Sequence, residues 1–264
     1  MAALASSFRC SRPARPQPDP LRRALLGYGP VLALGLAGCI SLPREVPGHV
    51  APFSTAPQPG PLPRGWEEVV LRHDLPRTDY RLVELDGRRV LLASGHGASG
   101  LRCRVRVDPQ AMPWMRWSWR TREVPAGMCV ERSETDDSPA RMVVAFHGDE
   151  QSLSARDRAL FELVHLITGE RLPYATLMYV WDGQLPVGSV VDYARTSRIR
   201  YLVIESGPER AGSWLHYERN VVEDFRRVFG EEPGAVDSVG LMTDSDDLRV
   251  DVQTWYGDVR LEAA

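Results

Sequence analysis

The clearest hydrophobic pattern of the chain lies in residues 113–147. The apolar side chains of Met115, Trp117 and Trp119 alternate with polar ones. Because strand side chains have a period of two, these three residues fall on one face of an extended segment. The run 142–146 is apolar on both sides, which is typical of a strand covered on both faces. The stretch therefore predicts a core strand and a central strand joined by an acidic loop.

Shorter runs of the same kind, bounded by turn residues, extend along the chain. The dipeptide Asp86-Gly87 between two alternating runs is a strong hairpin signal. The runs predict further strands at residues 66–72, 80–85, 88–93, 101–107, 175–181, 187–193, 199–205, 236–243 and 250–261.

Two helices are predicted between these strands. Ser154 is an N-cap for residues 155–168, and Gly169 ends that helix. Asn220 begins a second helix that runs to Phe229, before a glycine. The apolar stripe expected to face the core on the first helix is Leu160, Leu163, Val164 and Ile167. Many short strands, two short helices and no strand–helix–strand rhythm predict a mainly β fold, an antiparallel β-sandwich of jelly-roll type.

The N-terminal region has the pattern of a secretory signal. Two arginines precede the apolar run 24–36, which is too short to span a membrane as a helix. The run ends in Leu36-Ala37-Gly38-Cys39, which resembles the lipobox of bacterial lipoproteins, where the cysteine is lipidated. The residues after Cys39 include no Asp at the next position, and by the same resemblance this favours sorting to the outer membrane.

The pattern divides the chain into three parts. Residues 1–38 are expected to be a signal peptide, and Cys39 the lipidated N-terminus of the mature protein. Residues 39–63 are rich in proline and are interpreted as a tether. Residues 64–264 are expected to form one folded domain, lipid-anchored in the cell envelope and facing the periplasm.

The basic residues exclude several mechanisms that require a lysine. All 32 are arginine, so Schiff-base chemistry, a P-loop lysine and a Ser-Lys dyad are excluded. From Cys39 onward the chain carries 27 arginines against 34 acidic residues, a formal net charge of −7. An acidic mature protein is a poor candidate for general binding to nucleic acid.

Several segments together resemble a known family. The segments WMRWSWR, DDSPARMVVAF, LPYATLMYVWD, TSRIRYLVIESG, ERNVVEDFRRVFGEEP and GLMTDSDD are similar in order to a bacterial family known only as domain of unknown function 3047. The resemblance covers most of residues 66–260 and implies one envelope domain without an established catalytic residue. More loosely, the ending TWYGDVRL, with Asp258, resembles the last strand of carbohydrate-binding jelly rolls.

An arginine face is the first candidate for binding. Arg102, Arg104 and Arg106 alternate with apolar residues, and the next strand adds Arg116 and Arg120. If the two strands pair, five guanidinium groups share one face. Because like charges opposite one another destabilise a sheet, the face needs acids from elsewhere in the fold or an anionic ligand.

The acidic loop and a strand end are the second and third candidates. Asp136, Asp137 and Arg141 could orient a sugar, and the alternative is a loop closed by an Asp–Arg pair. Trp181 and Asp182 end a strand before a turn, where an exposed Trp could stack on a sugar ring.

A hydrolase is the alternative among enzymes. It would need two carboxylates flanking a cleft, drawn from Asp136, Asp137, Asp182 and Glu205, whose separation the sequence does not fix. No nucleophile motif is present, so no catalytic residue is assigned.

No metal or cofactor is predicted. The acids of residues 243–247 suggest a calcium loop, but they lack the glycine and terminal Glu of an EF-hand, so a solvated turn is expected. Cys103 and Cys129 could form a disulfide in the periplasm, and the sequence leaves that open.

The sequence therefore predicts a non-enzymatic envelope lipoprotein whose β-sandwich binds a glycan or another anionic polymer. A hydrolase acting on a cell-envelope polysaccharide and a structural partner in an outer-membrane assembly remain the alternatives.

Overall fold

The computed structural model describes residues 48–57, 62–70 and 72–264. The predicted signal peptide, the lipobox with Cys39 and the first part of the predicted tether lie outside the described residues. None of the helices in the described part of the chain is long and apolar enough to cross a membrane.

The described residues form mainly strands, with two α-helices. In chain order the elements are β1 (Trp66–Val69), β2 (Asp79–Leu85), β3 (Arg88–Gly95), β4 (Gly100–Val107), β5 (Trp114–Thr121), β6 (Ser138–Phe146), α1 (Ala155–Thr168), β7 (Ala175–Asp182), β8 (Val190–Tyr193), β9 (Thr196–Ser206), β10 (Leu215–Asn220), α2 (Val221–Phe229), β11 (Val236–Asp244), β12 (Val252–Tyr256) and β13 (Arg260–Glu262). A short 3-10 turn, Glu150–Ser152, precedes α1. The predicted strands are confirmed, except that the run 250–261 is divided into β12 and β13. β10 is an additional strand that the sequence pattern did not indicate.

The strands form two sheets. The seven-stranded sheet has the order β1-β4-β11-β6-β7-β9-β8, and the six-stranded sheet has the order β10-β5-β12-β3-β2 with β13 paired to β5. Neighbouring strands are antiparallel except β7 and β9, which run parallel. The predicted β-sandwich with two helices is therefore confirmed, with one parallel pair inside it.

The core lies between the sheets and follows the alternation in the sequence. Met115, Trp117 and Trp119 of β5 are at most 3% exposed. The Trp117 ring lies 5.1 Å from the ring of Tyr179, which comes from β7 in the other sheet. β6 is hydrogen-bonded on both sides, by β11 and β7, and its run of apolar residues fits this central position.

The two helices have the predicted caps but pack differently. Ser154 and Asn220 accept hydrogen bonds from backbone N–H groups at the starts of α1 and α2. α2 buries an apolar face made of Val221, Val222, Phe225 and Val228. The expected buried stripe of α1 is wrong, because Leu163 is 52% and Ile167 72% exposed. α1 is fixed instead by a buried acid, Asp157, which accepts a hydrogen bond from Thr196.

The domain begins earlier than residue 64. Phe53 is fully buried, and its ring lies 4.8 Å from that of Trp66. Trp66 Nε1 donates to the carbonyl of Ala51, and Ser54 donates twice to Asp258. Residues 50–56 of the predicted tether therefore pack against the sandwich through an apolar anchor.

The disulfide left open by the sequence does not form. Cys103 and Cys129 are both buried free thiols. Burial raises the pKa of the Cys103 thiol, so it is less reactive than an exposed cysteine.

Candidate functional site

The outer face of the six-stranded sheet carries polar side chains because its strands alternate. β5 turns Trp117 and Trp119 into the core, which leaves Arg116 and Ser118 on the opposite side. β10 runs antiparallel to β5 and places Glu218 beside Arg116 and His216 beside Ser118. These neighbours form the floor of a polar concavity.

That concavity is a pocket of about 410 Å³, which we call the arginine pocket. Its lining includes the four arginines Arg88, Arg89, Arg116 and Arg260 and the three carboxylates Glu218, Asp258 and Glu262. The volume falls in the range of small-molecule sites in proteins. Gly257 lies directly against Ser118 of this floor, since a Cβ atom there would be 2.3 Å from Ser118 Oγ.

The hairpin between β2 and β3 forms one wall of the arginine pocket. Asp86 and Gly87 both have positive φ, 54° and 74°, as a two-residue hairpin turn requires. Asp86 Oδ2 accepts a hydrogen bond of 3.0 Å from the indole N–H of Trp214. The guanidinium carbon of Arg88 lies 4.1 Å from the centre of the Trp214 ring. The turn therefore holds Arg88 against an aromatic ring by a cation–π contact.

The other arginines of the pocket face carboxylates. Arg116 bridges Glu218 at 2.6 Å and Glu262 at 2.5 Å. Arg260 lies 3.6 Å from Asp258, and Arg89 lies 3.1 Å from Glu84 outside the lining. Among the pocket arginines, only Arg88 makes no ion pair with a described residue.

Arg120, the second arginine predicted on β5, lies at the edge of this region. Its Nη1 is 3.3 Å from Asp86 Oδ2, and its guanidinium lies 5.6 Å from the ring of Trp255. Arg116 and Arg120 are thus both near the hairpin, but only Arg116 lines the pocket.

The predicted common arginine face is wrong. β4 belongs to the seven-stranded sheet and β5 to the six-stranded sheet, so their arginines lie on different surfaces. Arg102 and Arg104 share Glu67, whose pKa is lowered because their hydrogen bonds and positive charges outweigh the opposing effect of burial. Arg102 also pairs with Glu170, which follows α1. Arg102 and Arg104 are thus balanced by an ion-pair network, made with acids other than the Asp136 and Asp137 considered from the sequence. Arg106 makes no ion pair with a described residue.

The predicted loop acids and Arg141 lie together in a buried group, joined by two acids from the end of β11. We call Asp136, Asp137, Arg141, Asp244 and Asp246 the acid cluster. Arg141 is 3% exposed, and its Nη2 lies 3.0 Å from Asp136 Oδ1 and 3.2 Å from Asp244 Oδ2. Asp137 is fully buried and accepts hydrogen bonds from the backbone of residues 247 and 248. The loop is closed by Asp–Arg pairs, which was the alternative to a sugar site.

Burial and charge shift the pKa values in the acid cluster. Burial raises the pKa of Asp244 well above its usual value; Arg141 opposes this, and the neighbouring carboxyl groups of Asp246 and Asp137 add to it. The Asp137 pKa is also raised, mainly by burial. Burial lowers the pKa of Arg141, but Asp136 and Asp244 outweigh it, so that pKa is raised.

Trp181 and Asp182 do not face a ligand. Trp181 is fully buried, and its indole N–H donates to the carbonyl of Gly207 at 2.9 Å. Asp182 is also fully buried and accepts backbone N–H bonds, from Val130 and from the turn 184–185. The prediction of an exposed sugar-stacking Trp at this turn is therefore wrong, because β7 is covered on both faces.

The carboxylates proposed for a hydrolase are held by internal contacts. Glu205 is 5% exposed, lies 2.7 Å from Arg210 and accepts a hydrogen bond from Tyr217 at 2.8 Å. Asp182 fixes a turn, and Asp136 and Asp137 belong to the acid cluster. None of these four lines the arginine pocket.

Most residues of this site were missed by sequence reasoning, including Arg88 and its aromatic neighbour Trp214. Arg88 follows the Asp86-Gly87 turn directly, so the recognised hairpin signal places it at a hairpin end. Trp214 lies just before the strand that the sequence pattern did not indicate, so nothing located it near the hairpin. Their contact joins the ends of β10 and β3, which β5 and β12 separate in the sheet.

Comparisons with solved structures find distant likenesses. The cleaved K1 adhesin domain of Lys-gingipain from Porphyromonas gingivalis W83 is 8% identical, with a TM-score of 0.38, over 82% of this chain and 98% of that one. The family 11 carbohydrate-binding module of a cellulosomal cellulase of Clostridium thermocellum is 12% identical, with a TM-score of 0.39, over 83% and 97%. A family 27 module described as recognising mannan is 9% identical, with a TM-score of 0.32, over 82% and 98%.

At the level of sequence, a search of curated proteins gives no significant match. The family described as "Protein of unknown function (DUF3047)" matches residues 64–260, which is most of the chain. This match confirms the resemblance seen in the segments of the sequence. The chain belongs to the DUF3047 family.

Proposed function

We propose that the domain binds an acidic carbohydrate in the arginine pocket, on the outer face of the six-stranded sheet. The observation that carries this proposal is the state of Arg88. The centre of the Trp214 ring lies 4.1 Å from its guanidinium carbon, and Arg88 makes no ion pair with a carboxylate among the described residues. Its hydrogen-bond donors are therefore positioned and free for a ligand.

The rest of the pocket favours a polyhydroxyl ligand over a simple anion. Glu218, Asp258 and Glu262 line the same space as the arginines. A phosphate or sulfate would meet these carboxylates with like charge, which opposes binding. Sugar hydroxyls both donate and accept, so they can bond to carboxylates and guanidinium groups together.

An acidic group on the sugar explains the free cation. A carboxylate can accept two parallel N–H bonds from one guanidinium, a contact stronger than a neutral hydrogen bond. The cation–π contact with Trp214 restrains the Arg88 side chain before the ligand arrives, which reduces the entropy lost on binding.

The test is a glycan array with neutral and uronic-acid-containing sugars, probed with the purified protein. Arg88→Gln keeps a polar side chain but removes the charge, and loss of one charge-assisted hydrogen bond predicts binding weakened by about tenfold or more. Arg81→Gln is the matched control, since its side chain is 59% exposed and lies outside the pocket lining.

Binding of acidic sugars that is lost with Arg88→Gln and kept with Arg81→Gln supports the proposal. No binding to any sugar, or equal binding by both variants, contradicts it. Preference for neutral sugars contradicts the acidic class.

We further propose that lipid on Cys39 anchors the domain to the outer membrane, facing the periplasm. The signal pattern and lipobox of the sequence support this placement. Cys39→Ala should leave an unlipidated precursor and move the protein out of the membrane fraction. A variant that stays fully in the membrane fraction contradicts the anchor.

A further inference from the structure

Three carboxylates of the acid cluster converge on one point. One oxygen each from Asp137, Asp244 and Asp246 lie within 4.8 Å of one another. Like charges at this distance disfavour full ionisation unless a positive group lies among them. Acidic residues gather at many protein surfaces, so the proximity needs a second observation.

The second observation is a buried oxygen without a partner. Asp244 is 7% exposed, and its Oδ2 faces Arg141 at 3.2 Å. Its Oδ1 is buried and accepts no hydrogen bond from any residue in the described ranges. Buried polar atoms without a partner are rare in folded proteins because they are costly, so this oxygen points to a partner other than a protein side chain.

Arg141 does not neutralise the group. The same Nη2 atom also contacts Asp136, at 3.0 Å from its Oδ1 and 2.6 Å from its carbonyl oxygen. One guanidinium therefore faces Asp136 and Asp244, while Asp137 and Asp246 add two further acids. The cluster has more negative than positive groups.

We propose that Asp137, Asp244 and Asp246 bind a calcium ion. Calcium takes six to eight oxygen ligands in flexible geometry, whereas magnesium usually keeps several waters and takes one or two carboxylates. Three carboxylates with no nitrogen or sulfur among them therefore fit calcium best. Asp246 is only half-buried, which gives the ion a path from solvent and room for bound water. The site replaces the solvated turn expected from residues 243–247.

The position of the ligands gives the ion a structural role. Asp137 directly precedes β6, and Asp244 ends β11, both in the seven-stranded sheet. Asp246 lies in the connection to β12, which belongs to the six-stranded sheet. A bound ion would therefore fix the crossing of the chain between the two sheets. This site is separate from the arginine pocket, so its test does not depend on the proposed function.

The test is calorimetric titration of the EDTA-treated full chain with calcium chloride, and with magnesium chloride for comparison. We expect one calcium ion per chain, and Asp246→Asn should weaken its binding by about tenfold or more because one charged ligand is lost. Asp79→Asn is the control, since that carboxylate is 63% exposed and lies on β2, outside the cluster. Calcium at about 100 times its Kd should also raise the Tm by about 5 °C or more.

Two results overturn the proposal. Absence of calcium binding by the native chain would mean that a shared proton, not an ion, relieves the carboxylates. Equal calcium affinity for Asp246→Asn and the native chain would place the ion elsewhere. If Asp246→Asn does not fold, the Tm of the native chain with and without EDTA tests whether a bound ion stabilises the fold. An unchanged Tm then rejects the site.

Discussion

The arginine pocket and the acid cluster are built from the same two groups, guanidinium and carboxylate, but they differ in burial. The Arg116 side chain in the pocket is 51% exposed, whereas that of Arg141 in the cluster is 3% exposed. Water screens the charge of Arg116, whereas the guanidinium of Arg141 is shielded from it. Burial, rather than the number of ion pairs, therefore decides whether a charge is available to a ligand or required by the fold.

The difference in burial changes how much each ion pair contributes to the free energy of unfolding. An exposed pair contributes little to stability because water competes for both partners. A buried charge that loses its partner is left in a medium of low dielectric constant, which costs much more. Variants in the two regions should therefore differ in their effect on unfolding even when each removes one arginine.

Arg141→Met should have the largest effect on stability. It leaves Asp136 and Asp244 buried without their shared cation, and removal of one partner of a buried pair costs about 3–5 kcal/mol. Urea denaturation measures the free energy of unfolding. Arg81→Met, on an exposed strand position, is the control and should change it by less than about 0.5 kcal/mol. Equal losses for both variants would refute the contrast.

Tyr201→Phe should have an intermediate effect. The Tyr201 hydroxyl, on a residue 2% exposed, donates to Asp136 Oδ2 at 2.9 Å. Loss of a hydrogen bond to a charged group costs about 1.5–3 kcal/mol. Denaturant unfolding of this variant measures that loss, and a loss below about 0.5 kcal/mol would show that water reaches the cluster.

Arg116→Gln should have the smallest effect on stability. Its pairs with Glu218 and Glu262 are short, but all three side chains are substantially exposed. The loss should stay below about 1 kcal/mol, as for other exposed pairs. A loss as large as that of Arg141→Met would mean that the pocket charges hold the fold together and are not available to a ligand.

The two helices show what the sequence could and could not predict. Caps and periodicity located both, because these signals are local. Whether an apolar stripe is buried does not depend on local sequence alone: α2 buries Phe225, whereas α1 leaves Ile167 of its stripe 72% exposed. An apolar stripe predicts a helix face, but what covers that face depends on the rest of the fold.

In the candidate site, too, local sequence predicted some features and the rest depended on the whole fold. Alternation in β5 correctly turned Arg116 away from the core, since a strand has a period of two. Which sheet each strand joins was not encoded in that period, so the arginines of β4 and β5 were wrongly combined. The contact between Arg88 and Trp214 joins residues 126 positions apart, which no local pattern specifies.

The most direct test of acidic-carbohydrate binding is a thermodynamic cycle that removes the charge of Arg88 and the carboxyl group of the ligand, singly and together. Calorimetry would compare native protein and Arg88→Gln with an array-selected acidic glycan and with the same glycan after reduction of its carboxyl group to an alcohol. We expect Arg88→Gln to weaken binding of the acidic glycan by about tenfold or more and binding of the reduced glycan by much less. Equal weakening of both, or no weakening of either, would contradict an acidic-carbohydrate site at Arg88.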